Sequence, residues 1–365
     1  MLILSFLSFI SVAMAFYLSF HIYYSFFANK LMFAFILIVV LTLFFSYFWL
    51  IIISKYLPDP VFKTIRFGIY FLLGIGIYIF SFYLISDILR IFIKINPFSE
   101  GIIIVALGIT FAMLGYLNTR FIRENNYTIY SSSITKPLKV VLISDLHIGS
   151  SDITIAKFNQ MTKKINAQNA DFIIMAGDII DDASVPYQKL GYGKLFKNLN
   201  AKHGVYATIG NHETYRGDVN VVEANFRKDG LKVLDNSTEF FKDYNLNLVG
   251  ITDTGRSKGK PKLAEEFNLQ KDKFNLVVEH NPIRFDEGSK HNIDLQLSGH
   301  THGGQISYGY IIALFMYTKP WGKLELNNST LITTSGIGSW GIPMRDVTYP
   351  EIVVINIEPI NNSQK

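Results

Sequence analysis

From Met1 to about Tyr116 apolar positions follow one another almost without interruption, and no polar face recurs at helical spacing. A helix on a soluble domain keeps a polar stripe toward water, so a buried helical core accounts poorly for this half of the chain. Four stretches, approximately 2–27, 31–54, 67–89 and 101–118, approach the roughly 20 apolar residues that cross a bilayer. The AMA at 13–15 resembles a signal-peptide cleavage site. No positive segment precedes it and the apolar run is too long, so the first stretch reads as a retained span. A transmembrane helical domain over 1–118 follows, with a polar connector at 119–137 that ends at Pro137.

Beyond Pro137 the period changes. LKVVLISD, DFIIMAGD, GVYATIGN, LKVLD, FKDYNLNLVGI, FNLVVEH, IDLQLSG, STLITTSG and EIVVINIE all read as strands. The amphipathic ITIAKFNQMTKKINAQ and a segment around 218–229 read as helices between the early ones. Strands alternating with helices, then mostly strands, predict a layered α/β domain over 138–360.

Composition and charge refine this picture in three places. Lys55, Lys63, Arg66, Arg120 and Arg123 outnumber Lys30, Arg90 and Lys94 on the other side of the spans. That bias puts both termini, and the α/β domain, in the cytoplasm. The net charge of +5 suits work beside anionic lipid or on an anionic substrate. No basic run interleaved with aromatics argues for nucleic acid. The absence of cysteine excludes thiolate metal sites.

The strand ends carry the chemistry. SDLH supplies Asp145 and His147, AGDIIDD supplies Asp178, Asp181 and Asp182, and GNHE supplies Asn211, His212 and Glu213. VVEHNP supplies His280, and GHTHGGQ supplies His300 and His302. In open α/β sheets ligands bind at the C-terminal ends of strands, which is where these residues fall. Each motif alone is ordinary, and His21, His203 and His291 read as structural. Together they offer imidazole, carboxylate and one amide oxygen, a donor set for manganese, iron or zinc.

The ordered set D-x-H, G-D-x-x-D, G-N-H-E, H-x-P and G-H-T-H, over roughly 138–358, resembles the calcineurin-like metallophosphoesterase superfamily. The resemblance implies a four-layer α-β-β-α sandwich and a centre of two divalent ions, manganese first, with iron or zinc as alternatives. It assigns Asp145, His147 and His302 to one ion and Asn211, His280 and His300 to the other, with Asp178 bridging. Two such ions can clamp phosphoryl oxygens and acidify water. His212 is implied as a catalytic group that, with Asn211, meets the phosphate. Asp181, Asp182 and Glu213 are expected to orient ligand imidazoles. Arg345, in SGIGSWGIPMR, is either a solvated arginine on a structural loop or a phosphate clamp, and the clamp is preferred.

One segment has no place in the metal chemistry. ISYGYIIALFMYTKPWGK at 306–323 is unusually apolar for a loop beside such a site. It reads as a buried strand pair, or as an interfacial element with Phe315, Met316, Tyr317 and Trp321 in lipid and Lys319 and Lys323 toward headgroups. The four spans, HTHGGQ and the SGIGSWGIP turn together resemble the membrane-bound UDP-2,3-diacylglucosamine hydrolases of lipid A synthesis. That implies a multi-pass inner-membrane enzyme releasing UMP and 2,3-diacylglucosamine 1-phosphate. The alternatives are a membrane-tethered phosphodiesterase or phosphatase acting on another phospholipid or a soluble nucleotide, and a sensor that only binds metal. Nothing favours the sensor.

Overall fold

The computed structural model describes residues 2–27, 29–54, 56–150, 153–181, 191–215, 219–253, 266–267 and 269–360. The chain forms two compact units, Met1–Leu117 with Gly341–Met344, and Asn118–Trp340 with Arg345–Lys365.

The first unit is helical: α1 (Leu2–Phe26), α2 (Lys30–Phe44), α3 (Ser46–Ile53), α4 (Asp59–Arg90) and α5 (Pro97–Asn118). Three stretches within these, Phe9–Phe26, Val61–Arg90 and Pro97–Asn118, are long and apolar enough to cross a membrane. The expected span at 31–54 is divided at Phe45 into helices of 15 and 8 residues, so among the described residues three helices, where about four were expected, are long and apolar enough to cross. Neither proline nor glycine forces that break. Ala15, Leu18, Val40, Ile79, Tyr83 and Ile104 form the unit's core, while Phe16, Phe35, Ile38 and Ile85 stay exposed. Polar groups pair inside it. Glu100 takes both Ser86 and Arg90, joining α5 to α4, and Asp87 takes the Tyr17 hydroxyl at 2.5 Å and His21 Nε2 at 3.2 Å, joining α4 to α1.

The second unit stacks two six-stranded sheets. Its strands are β1 (Arg123–Ser131), β2 (Leu138–Ile143), β3 (Phe172–Ala176), β4 (Val205–Thr208), β5 (Lys232–Val233) and β6 (Ser237–Phe241), then β7 (Leu246–Ile251), β8 (Phe274–Glu279), β9 (Leu295–Ser298), β10 (Gly322–Leu326), β11 (Ser329–Thr333) and β12 (Glu351–Pro359). One sheet runs β1-β12-β2-β3-β4-β5 and the other β10-β11-β9-β8-β7-β6. Its helices are α6 (Ile155–Ala167), α7 (Gly193–Phe196), α8 (Asn211–Tyr215), α9 (Val219–Lys228), α10 (Phe285–Gly288) and α11 (Ser307–Met316).

The unbroken apolar runs in β2, β3 and β8 follow from burial on both faces. Val140, Leu142, Phe172 and Ile174 point between the sheets toward Leu248, Leu276, Val278 and Leu297. The alternate residues Val141, Ile143, Ile173 and Met175 meet Phe158, Met161 and Ile165 of α6 and Phe226 of α9. Phe267, Leu269 and Ile293 pack on the outward side chains Val249, Ile251 and Val277 of the second sheet. The period-2 alternation thus feeds three apolar layers, as the expected sandwich requires.

Two expectations need correction. The polar segment at 119–137 is no mere connector, because β1 pairs in parallel with β12 along its whole length, Arg123 to Glu351 through Ser131 to Pro359. An edge strand tolerates the polar sequence RENNYTIYS because one side of it faces water. The segment at 306–323 is not a strand pair. It forms the apolar helix α11 before entering β10.

Candidate metal centre

Parallel pairing of β2, β3 and β4, and of β8 and β9, brings five strand ends to one rim. Asp145 and His147 follow β2, Asp178 follows β3, Asn211 opens α8 after β4, His280 follows β8, and His300 and His302 follow β9. Five of these seven take a positive φ: Asp145 (+53°), His147 (+48°), Asp178 (+50°), His300 (+72°) and His302 (+50°). Such backbone is costly for residues with a Cβ and persists where the surroundings over-determine it. Here they do. Asp145 N–H bonds Gly177 O at 3.1 Å, His147 N–H bonds Asp178 O at 3.0 Å, and His300 N–H bonds the Asp145 carboxylate at 3.0 Å. Gly177 is required beside them, since a Cβ there would lie 2.6 Å from His280 Nδ1.

Among the described residues, expected ligands gather in two groups whose ligand atoms converge, Asp145 with His147 and His302, and Asp178 with His280 and His300, and a third convergence joins His147 to Asp181 and His212. His147 Nε2 and His302 Nε2 face each other at 3.1 Å, and His300 Nδ1 faces His280 Nε2 at 3.3 Å. Asp178 lies between the groups, its Oδ2 being 3.1 Å from His280 Nε2 and 3.9 Å from His147 Nε2. The expected assignment also gives Asn211 to the group of His280 and His300, and these groups bring together the other six residues.

The donor chemistry fits divalent cations. His280 Nδ1 bonds Ala176 O at 2.6 Å, which makes Nδ1 the donor and turns Nε2 inward, the arrangement that orients a ligating imidazole. Asn211 Oδ1 is buried without a hydrogen-bond partner, an expense that a cation at that oxygen would remove. Burial and the neighbouring His280 depress His300, and burial with His147 and Arg345 depresses His302. Both present neutral rings. Burial opposes charge on His280 and His147 as well, but facing carboxylates more than reverse it, Asp178 at the first and Asp181 with Asp178 at the second. Cations filling the site would displace those protons.

Other expected residues are placed as follows. His212 stands edge-on to His147, ring centres 4.6 Å apart, and its Nδ1 meets the main-chain oxygen of Asp181 at 2.8 Å. Asp181 Oδ1 lies 3.3 Å from His147 Nδ1, close enough to pair with that imidazole. Asp182 lies outside the described residues. Glu213 does something different. Its carboxylate accepts the N–H groups of Asp178 (3.0 Å), Ile180 (2.9 Å) and Gly210 (2.8 Å), binding the β3 and β4 loops together. Burial, with the charge of Asp178, pushes it up to about 7. Glu213→Ala strands three buried donors and is expected to cost about 3 kcal/mol or more. Thermal unfolding of the purified chain should show a clearly lowered midpoint, with Glu213→Gln losing less because it keeps one acceptor.

Arg345 corrects the phosphate-clamp expectation. It is fully buried, and its guanidinium donates to Ser335 O (2.8 Å), Gly338 O (2.5 Å), Thr348 Oγ1 (3.0 Å) and His302 O (3.4 Å). It braces the HTH loop against Ser335, Gly338 and Thr348. Its sequence context, glycines and a turn, suits either role, and only the surrounding carbonyls decide. Trp321 is half-buried, its Nε1–H bonded to Glu351 Oε1 at 3.1 Å and its ring against Tyr349. Phe315 and Met316 are 88% and 59% exposed, and the Tyr317 ring lies 6.1 Å from that of His300. Trp340, exposed beside His212, was not singled out from the sequence, although it lies within the quoted SGIGSWGIP turn.

Residues 138–304 match the family model of the calcineurin-like phosphoesterases. An uncharacterized metallophosphoesterase of Aquifex aeolicus is 28% identical over 267 residues, covering 70% of this chain and 99% of that protein. One of Campylobacter jejuni is 28% identical over 234 residues, 62% of this chain and 60% of the relative. A transmembrane protein with metallophosphoesterase domain from Danio rerio is 27% identical over 233 residues, 60% of this chain and 52% of the relative. The chain therefore spans less than two thirds of the last two.

Proposed function

We propose that this chain is a metal-dependent hydrolase of phosphoric esters of the calcineurin-like kind, and that it acts at a membrane surface on a lipid-linked phosphoester. The substrate that best fits this reading is UDP-2,3-diacylglucosamine, cleaved at its pyrophosphate to UMP and 2,3-diacylglucosamine 1-phosphate. One observation carries the lipid assignment. Helix α11 exposes Ile311, Ile312, Leu314, Phe315 and Met316, and the residue that ends it, Tyr317, leans on His300. In a chain with three helices fit to cross a bilayer, such a surface suits acyl chains or the headgroup boundary.

Asp145, His147 and His302 would hold one ion, and Asn211, His280 and His300 the other, with Asp178 shared; manganese is the first candidate. Bound there, the ions supply Lewis-acid polarisation of phosphoryl oxygens and an acidified water. The remaining work falls to side chains. The Asp181 carbonyl fixes His212 Nδ1 as a donor, so a second proton taken up at Nε2, making the ring an imidazolium, is the one that can pass to a leaving oxygen or bond a phosphoryl oxygen. Asp181 steadies His147, and Glu213 steadies the loop that carries Asp178.

The test is direct. Full-length chain in detergent with manganese should release UMP from UDP-2,3-diacylglucosamine. Hydrolysis of bis(p-nitrophenyl) phosphate with none of the acylated nucleotide would move the substrate to another phospholipid or a soluble nucleotide. Replacing Ile312 and Phe315 with Ser should cut turnover of the acylated substrate by about tenfold or more, since each buried apolar side chain is worth about 1.5–3 kcal/mol. The soluble diester should be spared. Equal losses on both would remove the lipid role of α11.

A further inference from the structure

Apart from asparagines and candidate ligands, one described non-glycine residue holds a positive φ, and it is Gln305 of the HTHGGQ motif (φ +60°, ψ −56°). Ile306 N–H bonds back to Gly304 O at 2.6 Å, closing a γ-turn of the rare positive-φ kind. What that costly turn achieves is visible in the contacts of the side chain. Gln305 Oε1 accepts the Trp340 N–H at 3.0 Å, and Gln305 Nε2 donates to Trp340 O at 3.2 Å. One amide therefore holds both main-chain polar groups of Trp340.

The preceding residues are equally constrained. Ile337 and Gly338 donate to Ser144 O (3.1 Å) and Asp145 O (2.8 Å), on the loop that carries a candidate ligand, while Arg345 takes Ser335 O and Gly338 O. Yet the indole at the end of this fixed segment is 57% exposed, with its ring 6.3 Å from His212 and nearly perpendicular to it. An aromatic face held in water by a rigid backbone gains nothing for the core. It is preorganised for a ligand.

Its position suggests which ligand. Tyr317, the residue that ends the apolar α11, lies against His300, in the group of Asp178 and His280. Trp340 lies against His212, which neighbours His147 of the other group. The two substituents of a phosphodiester or diphosphate leave in different directions, and acyl chains already have an apolar surface at α11. The end beside Trp340 offers an aromatic face instead.

We propose that Trp340 is a specificity-determining residue whose indole stacks on a planar group of the substrate, a nucleobase, and that Gln305 is the positioning residue that presents it. The proposal rests on the nucleotide half of the substrate reading and does not require the acyl chains.

Calorimetric titration of the full-length, manganese-loaded chain with UMP and with ribose 5-phosphate tests it without turnover. The wild type should bind UMP roughly tenfold tighter than ribose 5-phosphate, within the range of a base stacked on an aromatic side chain. Trp340→Ala should erase that preference by weakening UMP alone, and Trp340→Phe should restore most of it. Gln305→Ala should weaken UMP by a smaller factor. Equal affinities in the wild type, or equal loss of both ligands in Trp340→Ala, would overturn the proposal. A UMP preference that tracks Trp340 in a chain unable to cleave the acylated nucleotide would keep this inference and remove the lipid reading.

Discussion

Asp178→Ala is expected to abolish hydrolysis, lowering kcat by more than about 10³-fold, beyond the loss of a single charge-stabilising donor. The carboxylate lies 3.1 Å from His280 Nε2 and 3.9 Å from His147 Nε2, and its Oδ1 accepts the His212 N–H at 2.9 Å. Alanine removes the anion between the two ligand groups and loosens the turn that carries His212. Elemental analysis of the dialysed variant should show well under two ions per chain, where the wild type retains both. Chelation followed by manganese should restore wild-type activity and leave the variant inactive. Asp178→Asn separates charge from shape, keeping an oxygen for the His212 N–H while weakening the hold on both ions. Full activity at full metal content in Asp178→Ala would end the binuclear reading.

His212→Ala should be nearly as damaging by a different route. His212 belongs to neither set of expected ligands, so metal content should stay at the wild-type level. The rate should fall by about 10²–10⁴-fold, the range for a positioned proton donor. Because Asp181 O engages Nδ1, the lost function is that of Nε2 at the substrate. Esters with poor, alkyl leaving groups should suffer more than p-nitrophenyl esters, which leave without protonation. An equal loss on both would assign His212 to holding phosphoryl charge, and an unchanged rate would remove it from the chemistry.

Much of the candidate site was legible because its chemistry is written in short motifs beside strand ends. DLH, GD, GNHE, EH and GHTH each combine a ligand type with a local turn, and the apolar run before each marks the strand that delivers it. Roles that depend on distant surroundings were not legible. Arg345 and Trp321 have sequence contexts equally suited to surface or interior. Their partners, Ser335, Gly338 and Thr348 for the first and Glu351 and Tyr349 for the second, come from other segments of the fold. Glu213 sits beside a ligand yet serves three amides of the backbone, and no spacing rule would announce that. The strand β1 escaped notice because an edge strand needs only one dry face.

The sequence by itself determined the class of each half, the apolar spans against the layered α/β domain, and offered the seven candidate donors. Hydrophobic period and donor chemistry are local properties of a chain, so these could be read one segment at a time. How the donors divide was implied only by the resemblance, and the contacts between them come from the tertiary structure. His147 and His302, 155 residues apart, meet at 3.1 Å, while His300, two residues from His302, turns to His280. It also decided that Gln305 holds Trp340 across 35 residues. Such pairings depend on which strands lie side by side, and that is settled when the two sheets pack, not within any one motif.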